Sequence, residues 1–247
     1  MKLAVLSDIH GNVRALNAVI EDLEHREVDQ VVNLGDCLYG PFDPRPVAEC
    51  LMTRQWPTVA GNEDRILMGD PDDLPLSRTA GWTRSQLSPK QIQWVSDLPR
   101  VLALTEDVVC FHGQPVCDTS YLLTHVNESG AVSQRPIQEI EKALAGLDHS
   151  FVLCGHDHTP RVVSLADSRM IVNPGSVGCP AYRDDNPFEH AIESGSPHAR
   201  YAIVEIRDGD IIAELVSVSY NWDAAAQEAR SNEFPDWSVW IQTGRVT

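Results

Sequence analysis

Five apolar runs of strand length recur in this chain, and each stops at a small cluster of Asp, His or Asn beside a glycine. "LAVLS" at 3–7 leads into Asp8-Ile9-His10, and "QVVNL" at 30–34 into Gly35-Asp36. "PTVA" at 57–60 leads into Gly61-Asn62-Glu63-Asp64. "VVCF" at 108–111 leads into His112-Gly113, and "FVLC" at 151–154 into Gly155-His156-Asp157-His158. This recurrence restricts the fold severely. In an open α/β sheet the carboxyl ends of the strands share one edge, so residues far apart in sequence meet there. Glycine lets the backbone turn sharply at such an edge without a Cβ penalty.

The intervening stretches fit that reading. Ala15, Leu16, Val19, Ile20 and Leu23 fall on one face of a helix that Asn12 is placed to cap. A second helix is expected from near Pro46, and further helical pattern covers 77–97. Pro136 suits the first turn of a helix carrying Ile137, Ile140, Leu144 and Leu147. Strands alternating with helices indicate an α/β architecture. Later the texture changes: "RVVSL", "RMIVN", "RYAIVEI" and "IIAELVSV" read as strands with few helices between them, and Asp208-Gly209 as a hairpin turn. A second sheet packed on the first is expected. From Asn221 a short helical pattern, "DAAAQEAR", precedes Phe234, Trp237 and Trp240. The organisation expected is one domain over 1–220, with 221–247 a helical appendage docked on it or lying at a contact between copies of the chain.

Charge narrows the function classes. The 247 residues hold 36 acidic and 19 basic side chains, a formal net charge of −17. Broad binding to nucleic acid or to an anionic membrane depends on clustered Lys and Arg, so neither is expected as a partner. An anionic small molecule would need local positive charge, such as a bound metal. Apolar runs stay well below the ~18 residues of a membrane span, and the N-terminus has no secretory pattern. Six cysteines are scattered without paired spacing, which suggests buried free thiols in a reducing cytoplasm.

Asp8, His10, Asp36, Asn62, His112, His156 and His158 are the chemistry-bearing residues of the strand ends. Asp, His and Asn without Cys suit divalent metals of intermediate hardness, namely Mn, Fe, Ni or Zn, and exclude a thiolate-rich zinc site. His25, His125, His149, His190 and His198 lie off these ends and are read as structural.

Taken in order, Asp8-x-His10, Gly35-Asp36, Gly61-Asn62-x-Asp64, His112-Gly113 and Gly155-His156-x-His158 resemble the calcineurin-like metallophosphoesterase superfamily. "NPGSVG" at 173–178 resembles a loop of its small bacterial phosphodiesterase branch. The resemblance implies a four-layer αββα sandwich of two mixed sheets flanked by helices, with a dinuclear metal site at the strand C-terminal ends. It implies that Asp8, His10, Asp36 and His158 hold one metal, and that Asp36 bridges to a second completed by Asn62, His112 and His156. Two divalent ions are implied, manganese first among them. Such a pair activates a bridging hydroxide for in-line attack on phosphorus. Set against two ligand carboxylates, two dications leave a local charge of about +2. The implied activity is hydrolysis of small phosphodiesters, cyclic nucleotides included. A phosphomonoesterase or protein phosphatase, a dinucleoside polyphosphate hydrolase and a non-catalytic scaffold are the alternatives. Retention of all seven ligand positions opposes the scaffold.

Glu63 departs from the family pattern, because several branches carry His there. A carboxylate at this position would repel a monoester dianion more than a diester monoanion, and a raised pKa would let it act as general acid. Otherwise it turns outward to Arg65 or caps a helix. Asp64 is expected to assist Glu63 as a second catalytic or supporting carboxylate. Tyr39 and Arg45, on the loop after Asp36, are expected with Asn62 to line a substrate cleft. Asn173 and Ser176 either support the histidine loops or meet phosphate.

Overall fold

Alternation along a strand sends successive side chains to opposite faces of its sheet. In β1 (Lys2–Leu6) Leu3 and Val5 enter one apolar cluster while Ala4 and Leu6 enter another. A strand buried on both faces reads as an unbroken apolar run, which is why "LAVLS" lacks polar alternation. The structure, a computed structural model, describes residues 1–69, 77–207 and 209–247.

In the first sheet β1 lies parallel to β2 (Gln30–Asn33) and antiparallel to β12 (Ala199–Arg207), with β13 (Asp210–Val218) on the edge beyond β12. The second sheet runs β3 (Val101–Ala103), β4 (Val108–Phe111), β7 (Phe151–Leu153), β9 (Met170–Asn173), β8 (Arg161–Ser164), and its three central strands are parallel. Leu3, Val5, Val32 and Val204 of the first sheet meet Val108, Cys110, Leu153 and Val172 of the second in the middle core.

Helices cover both outer faces. On the first sheet, Ala4, Leu6, Tyr201 and Ile203 pack with α1 (Val13–Leu23), α2 (Arg45–Arg54), α3 (Asn62–Met68), α4 (Arg78–Gln86) and α5 (Pro89–Ser96). On the second, Val109, Phe111, Val152 and Ile171 pack against Ile140 and Leu144 at α6 (Ile137–Ala143). Helix, sheet, sheet, helix is the four-layer sandwich that the resemblance implies. Asn12 caps α1 as expected, its side chain accepting from the Ala15 N–H at 3.1 Å. Two small hairpins, β5 (Thr124–Val126) with β6 (Val132–Gln134) and β10 (Ala181–Asp184) with β11 (His190–Glu193), complete the strands.

Three sequence expectations change. "PTVA" makes only one parallel bridge, Thr58 to Asn33, because Pro57 has no N–H and α3 begins directly after Gly61. The late strands do not form a sheet of their own: β8 and β9 join β4 and β7, whereas β12 and β13 join β1 and β2. Of the expected hairpin turn, Asp208 lies outside the described residues, and Gly209 takes a φ of 85°. All six cysteines are free, but Cys50 and Cys117 are only partly buried. Among the described residues no helix is long and apolar enough to cross a membrane.

The last two helices, α7 (Trp222–Ser231) and α8 (Pro235–Thr243), pack with Ala225, Ala226, Ala229 and Ile241 around Phe42. Phe42 belongs to the loop between β2 and α2, so its ring is one of the contacts that join residues 221–247 to the sandwich, beside the Asn232 Nδ2 donation to Pro41 O. Phe42→Ala is expected to cost about 3 kcal/mol of stability and to expose 221–247 to protease before the sheets unfold. Thermal melts with limited proteolysis measure both, and uniform cleavage across the chain would contradict that attachment.

Candidate metal centre

The strand ends converge between the two sheets. Asp8 and His10 follow β1, Asp36 follows β2, His112 follows β4, and His156 and His158 follow β7. Asn62 is the first residue of α3. His158 Nε2 lies 3.1 Å from Asp8 Oδ1, and His112 Nε2 lies 3.1 Å from Asp36 Oδ2. His10 Nε2 is 3.3 Å from His158 Nε2.

These residues hold unusual backbone conformations. Asp8 (φ 56°), His10 (51°), Asp36 (50°), His156 (71°) and His158 (50°) are all left-handed. That region is sparsely used by residues with a Cβ, and each instance costs of order 1–3 kcal/mol, so strain gathers where side chains must be aimed. Two glycines permit the close approach. A Cβ on Gly61 would sit 2.0 Å from Asp36 Oδ1, and one on Gly155 would sit 2.0 Å from Ser7 Oγ.

The imidazoles are held by their far nitrogens. Nδ1 of His10, His112 and His158 meets the backbone carbonyl of Tyr39 at 2.9 Å, Leu34 at 2.8 Å and Cys179 at 2.7 Å. A carbonyl only accepts, so Nδ1 carries the proton and Nε2 presents its lone pair inward. His112 Nε2, His156 Nε2, Asp8 Oδ1 and Asn62 Oδ1 are buried without hydrogen-bond partners. Each such orphan costs about 1–3 kcal/mol unless something fills its coordination. Asp8, His10 and Asp36 can converge on one point, and Asp36, His112 and His156 on another, with Asp36 common to both. Burial opposes ionisation of Asp8 and Asp36, but the imidazoles outweigh it and hold both below the usual carboxylate range. A donor set of inward lone pairs with a shared carboxylate fits two divalent cations.

Around these groups lies a cleft of about 470 Å³. Asn62, Glu63 and Tyr39 line it. Glu63, 24% exposed, places Oε2 3.2 Å from His10 Nδ1. Burial raises its pKa to about 7; the His10 contact works against the shift and the Asp36 charge adds to it. The outward pairing with Arg65 does not form, because Arg65 forks onto Asp118 at 3.0 Å from both oxygens.

Asp64 takes the supporting role of its two expected ones, and Arg45 is not where the sequence placed it. Asp64 is fully buried and absent from the cleft lining; its oxygens accept from Cys37 N at 2.9 Å and Gly61 N at 3.0 Å. It therefore locks the α3 start and the Asp36 loop together, and its acid–base expectation has no geometric basis. Arg45 opens α2, 55% exposed, and forks onto Asp43 at 2.8 and 2.7 Å instead of reaching the cleft. Asn173 and Ser176 support loops: Asn173 Nδ2 donates to Gly155 O (2.9 Å) and Asp157 Oδ1 (2.8 Å), and Ser176 Oγ to Asp8 O (2.8 Å).

Sequence reasoning missed Thr119, Cys179, Tyr182, Arg183 and Asp184 as cleft residues, and read Trp237 and Trp240 only as packing. No strand-end signal marks β10, and nothing local shows that α8 returns to the cleft. Gly61→Ala is expected to push Asp36 aside and lower the divalent-metal content of the protein below that of the wild type. Elemental analysis at the wild-type stoichiometry would contradict this.

The family model described as the calcineurin-like phosphoesterase superfamily domain matches residues 1–209. The chain is 27% identical to the uncharacterized protein MJ0912 of Methanocaldococcus jannaschii, over 95% of this chain and 94% of that one. In fold it is similar to a metallophosphoesterase from Sphaerobacter thermophilus, with a TM-score of 0.76, 24% identity and coverage of 99% and 100%. It is also similar to the hypothetical protein PH1004 from Pyrococcus horikoshii OT3, with a TM-score of 0.74, 19% identity and coverage of 99% and 98%. The left-handed strand ends, the inward imidazoles and the match over residues 1–209 agree: the chain belongs to the calcineurin-like phosphoesterase superfamily.

Proposed function

We propose that this chain is a metal-dependent hydrolase of small-molecule phosphodiesters, working with two divalent cations, manganese first among them. The observation that carries the diester preference is Glu63 in the cleft beside His10. When bound, the cations supply Lewis-acid polarisation of the phosphoryl group and an activated water nucleophile. The protein's own groups prepare the place. Asp8, Asp36, Asn62 and the four histidines would hold the pair, and the Asn62 amide would contribute an oxygen without adding negative charge. The Glu63 N–H donates to Asp36 Oδ1 at 2.9 Å and fixes the shared carboxylate.

Glu63 then selects by charge. A monoester dianion carries one more negative charge than a diester monoanion. At a separation of about 6 Å and an effective dielectric of about 40, that extra charge beside ionised Glu63 costs about 1.4 kcal/mol, a tenfold factor that is present above its raised pKa of about 7 and fades as the carboxyl protonates below it.

Two experiments test the proposal. With bis-p-nitrophenyl phosphate and p-nitrophenyl phosphate, the wild type should favour the diester, and Glu63→His should lower the diester-to-monoester ratio of kcat/KM by about tenfold. An unmoved ratio removes the charge argument. Separately, Asp36→Ala should lose at least one metal ion and reduce diester hydrolysis by more than about a hundredfold, since it removes the ligand common to both positions. Wild-type activity in that variant would sink the hydrolase assignment itself.

A further inference from the structure

The cleft has an aromatic wall that the metal chemistry does not use. Trp237 of α8 stands edge-on to His10, ring centroids 5.7 Å apart, and Tyr182 stands edge-on to His158 at 4.5 Å. Trp240 extends this surface from Trp237 at 5.4 Å, and Tyr39 lies 6.4 Å from Trp237. All four rings line the one cleft, and both indoles are only partly buried.

The support for this wall is rigid. Beneath the indoles, Ile241 is anchored in the cluster around Phe42, and Asn232 Nδ2 donates to Pro41 O at 2.7 Å. Gln242 Nε2 donates to Asp223 Oδ1 at 2.9 Å and ties α8 to α7. A surface held in place before binding loses little entropy when a ligand arrives. Its form is a concave cleft of about 470 Å³, in the size range of small-molecule sites and unlike the broad patch of a subunit contact. The two indoles come from outside the region that matches the family domain, which ends at residue 209, whereas Tyr39 and Tyr182 lie within it.

We propose that Trp237 and Trp240 stack a planar ring of the substrate while its phosphate sits at the Asp36 end of the cleft, so that the favoured substrates are phosphodiesters carrying a nucleoside. The spacing selects the nucleoside over a simple aryl ester. His10 stands between Trp237 and the candidate metal positions, so the stacked ring must be separated from phosphorus by a spacer, and a sugar provides one. A phenyl group bonded directly to the phosphate oxygen has no such spacer. This inference rests on the diesterase reading only for the group at the other end of the ligand.

Thymidine 5′-(p-nitrophenyl phosphate) and ethyl p-nitrophenyl phosphate share a leaving group and differ in the nucleoside. The ratio of their kcat/KM values should exceed about ten in the wild type and fall roughly fivefold to a hundredfold in Trp240→Ala, mainly through KM, as expected for loss of a base–aromatic stack. Trp237→Leu provides a second variant, with circular dichroism and melting to establish folding. Calorimetric titration of manganese-loaded protein with AMP, phenyl phosphate and inorganic phosphate gives a readout independent of turnover. AMP should bind most tightly and lose that advantage in Trp240→Ala. A ratio and an AMP affinity unmoved in both folded variants would overturn the wall, and phenyl phosphate binding as tightly as AMP would overturn the nucleoside assignment. Should neither diester turn over while AMP affinity still depends on Trp240, the diesterase reading fails and the wall stands.

Discussion

The carboxylate of Asp36 joins the two halves of the molecule. One oxygen accepts the Glu63 N–H at 2.9 Å, at the start of α3, and the other lies 3.1 Å from His112 Nε2, at the end of β4 in the opposite sheet. Gly61 is pressed against it, with no room for a Cβ. Two inward-facing acceptors at such a distance repel unless a proton or a cation lies between them. Without a cation the site draws protons: burial disfavours a charged His112, yet Asp36 and Asp8 outweigh that and raise its pKa to about 10. Cation binding would replace those protons, which couples occupancy of the site to pH and to the stability of the strand ends.

Backbone strain at these ends needs a stiff support, and a buried polar network behind them provides it. Asp157, between His156 and His158, accepts from Thr124 Oγ1 at 2.8 Å, Asn173 Nδ2 at 2.8 Å, the Thr159 N–H at 3.1 Å and Arg161 at 3.1 Å. Arg161 in turn donates to Leu123 O and Thr124 Oγ1. A fully satisfied network of this kind resists rearrangement more than an apolar contact would, because any shift leaves a buried group unpaired. His158, beside Asp157, is therefore held from behind as well as through its Nδ1 contact with Cys179 O.

The residues legible in the sequence share one property: each stands directly after a strand, or at the start of the helix that follows one. Asp8, His10, Asp36, His112, His156 and His158 could be placed together because strand ends in an α/β fold converge by construction. Residues whose position depends on long-range packing were not legible. Tyr182 and Arg183 lie on a hairpin with no such landmark, and Trp237 reaches His10 only because α8 folds back over Phe42. The cleft position of Arg45 and the catalytic reading of Asp64 failed for a different reason. Both had local partners, Asp43 for one and the N–H groups of Gly61 and Cys37 for the other, and a nearby partner wins over a distant cleft. The sheet assignment of the late strands was hidden as well, since β12 pairs with β1 across nearly the whole chain.

Charge and shape divide the work of recognition. With a formal −17 on the chain and Glu63 in the cleft, long-range attraction for an anionic ligand is weak, and positive charge is confined to the region that cations would occupy and to Arg183 at the lining. Discrimination among phosphodiesters of equal charge then has to come from contacts that carry no net charge. On the proposed reading the indole and phenol rings would provide these, because stacking gains free energy from any flat π-face and is nearly indifferent to the acidic surroundings. A site of this design would keep the hydrolytic chemistry within residues 1–209 and let the C-terminal helices decide which ester enters. Variation in α8 could then alter substrate choice without disturbing the carboxylate that the two sheets share.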